Sequence, residues 1–124
     1  MRTIIGVGLA GAIGALSRYG VEGFVSERFP GSFPAGTFVI NVTGSFVLGF
    51  LFVLLTERVA ASPALRTSLT VGFVGAYTTF STFSFETLRL IEDGALRTAA
   101  VNVVATLVLG LLAVWAGMTI GRAI

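Results

Sequence analysis

Residues 75–86 read GAYTTFSTFSFE, a stretch lying between two apolar runs in which six of twelve side chains carry hydroxyls and three are phenylalanine. Hydroxyls both donate and accept hydrogen bonds, and an aromatic ring is negative on its face but positive at its rim. Phe80 and Phe83 are three apart and share a helix face, so their ring edges with the hydroxyls around them suit an anion. Gly72 and Gly75 lower helix propensity, and Thr78 and Thr79 add β-branching. The stretch therefore predicts a break in a helix. A broken helix leaves carbonyls that can hold a cation, and a new helix N-terminus that favours an anion. The alternative is a continuous helix whose hydroxyls bond back to the preceding turn.

Three further polar groups stand in apolar surroundings. Asn41 has Thr37 four residues before it and Ser45 four after, which puts all three on one helix face. Asn102 and Thr106 are also four apart, and Gly110 continues their line. Each stripe suits a line of donors for a solute or a hydrogen bond that holds two helices together. Arg18 and Glu22 are four apart as well, so Arg18 either pairs with Glu22 or draws anions to a vestibule.

The elements that carry these groups have membrane length. A spanning helix needs about 20 largely apolar residues. Four segments qualify, at approximately 3–25, 32–56, 67–91 and 96–121, and they form a single domain over residues 1–124. The chain is 55% apolar and 11% charged, against about 25% charged in soluble domains. The first 12 residues resemble a signal peptide in charge and polarity, but three more spans follow, so the run is more simply the first span.

Turn signals separate the spans: ERFPGSFP at 27–34, Pro63 as a helix start, and Gly94 as a helix stop. Small residues at 6, 10 and 14, at 44 and 49, and at 110, 113 and 117 offer faces for close helix packing.

Charge also constrains orientation. Four spans put both termini on one side, with Arg2, Arg58, Arg66 and Arg122 there and Arg18, Arg28, Arg89 and Arg97 opposite. The arginine bias that normally orients a membrane protein is thus nil. Either the topology is weakly set, with Arg18 and Arg89 ambiguous in the count, or the chain inserts both ways, from which an antiparallel dimer would follow naturally. The net charge of +2 is carried by scattered single arginines, which argues against a nucleic-acid partner. There is no cysteine or histidine, which removes disulfides, thiolate and imidazole chemistry. No nucleophile–base arrangement is present, so an enzyme is not expected.

The motifs GAIGALSRY at 11–19, GTFVINVTGSF at 36–46 and, above all, GFVGAYTTFSTFSFE at 72–86 resemble those of the small fluoride-channel family, the Fluc or CrcB proteins. The resemblance covers essentially the whole chain. It implies an all-α membrane protein of four transmembrane helices per subunit, the third broken, assembled as a dual-topology antiparallel homodimer in the prokaryotic plasma membrane. It implies passive, selective fluoride efflux that relieves toxicity, and a structural sodium ion at the dimer centre held by the carbonyls of Gly75 and Thr78. The pathway would use Asn41, Phe80, Phe83, Ser81, Thr82 and Glu86, with Arg18 in the vestibule and Asn102 and Thr106 on the last helix. Two positions depart from the family pattern: Ala76 follows Gly75 where Gly-Gly is common, and Gly110 stands where some members carry serine. A dual-topology exporter of cationic drugs and a non-transporting membrane subunit are the competing classes. The first wants a carboxylate deep in a span, and the second does not need a broken, hydroxyl-rich helix.

Overall fold

The computed structural model describes residues 1–124 and is entirely helical. Helix α1 runs Arg2–Arg28, and α2 runs Ala35–Arg58, its last turn Leu54–Arg58 in the wider π form. The third crossing is in two pieces. Helix α3 occupies residues 63–77, beginning as Pro63–Thr67, widening to a π-helical Ser68–Val74 and ending in the turn Gly75–Tyr77. Helix α4 is Phe80–Glu92, and α5 is Leu96–Ala123. Three of these, α1, α2 and α5, are long and apolar enough to cross a membrane unbroken.

The element ends follow from local chemistry. Pro34 precedes α2, which starts at Ala35 rather than at 32 because Pro30 to Pro34 lack helical geometry. Ser62 caps α3, its hydroxyl accepting from the Leu65 N–H at 3.3 Å, with Pro63 at the first helical position. Gly94 takes a φ of +77° in the turn after α4, which only glycine adopts without strain.

The helices pack as two close pairs, α1 against α3 and α2 against α5. Small residues sit at both contacts. A methyl group on Gly14 would fall 2.2 Å from the Phe73 carbonyl oxygen, and one on Gly117 would fall 2.2 Å from that of Phe46. In a bilayer, where apolar surface gains nothing by leaving lipid, such backbone approach is what holds helices together. Only 19 of 124 residues are buried, and the exposed surface is rich in Leu, Ile, Val and Phe. That is the surface of a chain solvated by lipid or by another subunit.

Candidate functional site: the break between the third-crossing helices and the groove beside it

The break falls at Thr78 and Thr79, both in extended conformation. Thr78 donates its backbone N–H to the Val74 carbonyl at 3.0 Å and so closes α3. Beyond it the ladder stops. The Thr79 N–H, which in a continuous helix would reach Gly75, turns to the Asn41 Oδ1 at 2.8 Å. The Asn41 Nδ2 in turn donates to the Thr79 carbonyl at 3.0 Å. The side-chain amide of Asn41 thus pairs with one residue of backbone as a neighbouring strand would. In a membrane, where each unsatisfied backbone group costs several kcal/mol, this pairing makes the extended residue tenable.

Thr79 also starts α4. Its hydroxyl accepts from the Thr82 N–H at 3.2 Å and donates to the Thr82 hydroxyl at 3.0 Å. It is a helix N-cap of the usual threonine kind. The sequence signal that could have found this cap is a threonine before an apolar-periodic run.

No backbone N–H outside the helices donates to the carbonyls of residues 75–78. These carbonyls fit a cation, since oxygen dipoles without hydrogen-bond partners are what a hard ion replaces its water with. Gly75 is solvent-exposed in the single chain, and a methyl group there would meet only the Thr70 carbonyl, at 3.8 Å. Gly44 on α2 seats the break from the other side. A methyl group on it would fall 2.3 Å from the Thr78 Cγ2 and 3.0 Å from the Tyr77 Cδ1.

Below the break, between α2, α4 and α5, lies a groove of about 340 Å³ whose lining includes Asn41, Ser45, Thr78, Phe80, Phe83 and Thr106. The two phenylalanine rings stand 5.8 Å apart at 42°. Phe83 is buried, whereas Phe80 projects outward with 78% of its surface exposed. The predicted stripe of Asn41 and Ser45, the predicted Thr106–Gly110 line and the predicted ring pair therefore meet in one place.

The remaining expected site residues do not line this groove. Ser81 is exposed and Thr82 half-buried on the first turn of α4. Glu86 is one turn further, on a second pocket of about 370 Å³ that the α1–α2 loop shares with the end of α4. One carboxylate oxygen of Glu86 is buried without a hydrogen-bond partner, as is the hydroxyl of Thr37 beside it. Arg18 is half-buried on α1 and does not pair with Glu22. The ion pairs present are Arg89–Glu92 and Arg122–Glu57, so the pairing reading of the Arg18 stripe fails. Helical spacing brought the two side chains to one face, but α1 leaves both long chains free to point apart.

Asn102 does not line the groove. It is 1% exposed and donates to the Thr87 hydroxyl at 3.0 Å, which itself donates to the Phe83 carbonyl at 2.7 Å. Thr106 donates to the Asn102 Oδ1 at 3.5 Å. This chain of bonds ties α5 to the turn that carries Phe83. Its terminus on Thr87 was not legible, because Thr87 lies 15 positions away on another helix.

Comparison with known proteins places the chain. A sequence model of the family described as "CrcB-like protein, Camphor Resistance (CrcB)" matches residues 5–118. A relative from Nitratidesulfovibrio vulgaris, named fluoride-specific ion channel FluC, is 47% identical over 122 residues, covering 98% of both chains. A protein of the same name from Acidobacterium capsulatum is 49% identical, covering 95% of this chain and 94% of its own. One from Geobacillus kaustophilus, named fluoride-specific ion channel FluC 2, is 52% identical over 91% of this chain and 88% of its own. With the match running through all of its helices, the chain belongs to the CrcB-like family.

Proposed function

We propose that the chain is the subunit of a fluoride-selective channel, a multi-pass protein of the plasma membrane that lets the anion leave the cytoplasm down its gradient. It is not an enzyme; its relatives are named as fluoride-specific channels over the same length. The observation that carries the reading is the groove at the break, where an amide, hydroxyls and ring edges converge at membrane depth with no competing charge.

Fluoride is small and strongly hydrated, so a pathway must replace much of its water with donors held in place. Asn41 uses one N–H and its oxygen on Thr79, and its second N–H remains for an anion. Phe80 and Phe83 add the weaker positive potential of their rims. Ser81 and Thr82 continue the hydroxyls toward Glu86, and the guanidinium of Arg18 concentrates anions near the mouth.

The working unit is an antiparallel homodimer of oppositely inserted subunits. Three features support it: the even division of arginines, the groove open along one side, and the outward projection of Phe80. The carbonyls of Gly75 and Thr78 would hold a sodium ion between the two breaks. When bound, that ion supplies fixed positive charge and joins the subunits.

Reconstituted liposomes test the proposal. Purified protein should release fluoride and retain chloride. A dimeric, monodisperse preparation that releases no fluoride overturns it.

A further inference from the structure

The upstream side of the break is held to α2 by a second bracket, independent of Asn41. The Thr43 hydroxyl donates its single proton to the Val39 carbonyl, 2.6 Å away. It therefore has only lone pairs left for Tyr77, whose hydroxyl lies 2.9 Å from it. The direction is fixed: Tyr77 donates to Thr43, and Thr43 donates to the Val39 carbonyl. Bonds in such a chain polarise one another, and in lipid no water competes for them. The ring is held too. It stacks on Phe73 with centroids 6.1 Å apart and planes 8° apart, and one edge rests over Gly44. Tyr77 is thus fixed at both ring and hydroxyl, and it stands immediately before Thr78 in the turn that begins at Gly75.

We propose that Tyr77 is a positioning residue for the cation: its hydroxyl, locked onto Thr43, sets the aim of the Gly75 and Thr78 carbonyls and so tunes affinity for sodium. The inference rests on the sodium site of the proposed function. It assigns a role to a side chain that touches neither ion. Asn41 holds the Thr79 N–H and with it the peptide plane of the Thr78 carbonyl; Tyr77 holds the turn that carries Gly75 and leads into Thr78.

The decisive substitution is Tyr77→Phe, which keeps the stacked ring and removes only the hydroxyl. Thr43 keeps its bond to Val39, so no buried donor is orphaned. Thermal unfolding of the purified protein is followed against sodium concentration, with an organic cation replacing sodium at constant ionic strength. A ligand at free concentration L that binds only the folded state raises stability by RT ln(1 + L/Kd), so the rise with sodium sets in at concentrations near Kd. Tyr77→Phe should shift the sodium concentration at which stabilisation sets in upward by about fivefold, the equivalent of one neutral hydrogen bond. Fluoride-over-chloride selectivity at saturating sodium should be kept.

A brace with a purely structural role lowers the unfolding temperature equally at all sodium concentrations and leaves the onset of sodium stabilisation unmoved; that result overturns the inference alone. A wild-type protein whose stability ignores sodium overturns the cation site and the inference with it. Thr43→Val and Thr43→Ser approach the same bond from its other end, so the test survives if Tyr77→Phe fails to fold. The valine variant should reproduce the shift and the serine variant should restore the wild-type onset. Thr119→Val is the control, because Thr119 makes the same bond to its own helix and no other.

Discussion

Replacing Asn41 with alanine separates its two roles, holding the break and donating to the ion. The side chain satisfies both backbone groups of Thr79, at 2.8 and 3.0 Å, and Thr79 is 5% exposed. Removing the amide leaves a buried N–H and a buried carbonyl without their partner. Each such orphan costs about 1–3 kcal/mol, so the break should lose roughly 2–6 kcal/mol of local stability. The local assay is hydrogen exchange of residues 75–83 in detergent or nanodiscs. A loss of about 2 kcal/mol already corresponds to roughly thirtyfold faster exchange. Ser45→Ala is the matched control, since Ser45 bonds only the carbonyl of Asn41 on its own helix. It should leave exchange at the break unchanged. An Asn41→Ala protein that conducts poorly but exchanges at the wild-type rate refutes the reasoning, because the amide would then act on the ion and not on the backbone.

Phe80→Ile and Phe83→Ile should slow fluoride flux while preserving the dimer; normal conduction by both assigns the rings to packing. Gly44→Ala places a methyl group 2.3 Å from the Thr78 Cγ2 and should destabilise the protein by about 1–3 kcal/mol, measured by thermal unfolding, with the break displaced. Arg122→Gln removes a half-exposed pair with Glu57, 3.4 Å long, and should change stability by no more than about 0–1 kcal/mol and leave fluoride selectivity intact.

Much of the site was legible because membrane depth makes polarity rare, and rare groups are informative. Helix propensity alone points to a break in the third crossing, and it falls at Thr78 and Thr79, the second held by a partner across the bundle. The ring pair and the Asn41 and Thr106 stripes were expected separately, and the groove joins them. What periodicity could not supply is the other end of each bond. Spacing on one helix places Asn41 on a face. It does not reveal that the face opposes Thr79, 38 residues on, or that Asn102 spends its amide on Thr87. For the same reason Arg18 and Glu22, ideally spaced, do not pair: a shared face permits a bond between two long side chains without requiring one.

The choice offered by the sequence, asparagine as glue or asparagine as donor, dissolves on the geometry of one amide. A carboxamide has two donors and one acceptor oxygen. Pairing with an extended residue uses one donor and the acceptor, so holding the break leaves the second N–H directed elsewhere, and Asn41 lines the groove. The bracket also explains why the groove sits at a break. An intact helix would spend the Thr79 N–H on Gly75, leaving no carbonyl for a cation and no free turn at the start of α4. Opening it frees both, and α2 keeps it open from two points, Asn41 below and Thr43 above, with Gly44 between them admitting the close approach. The helix break, the groove and the freed carbonyls are therefore one construction. A substitution at any of these three positions on α2 should be felt at the break before it is felt anywhere else in the bundle.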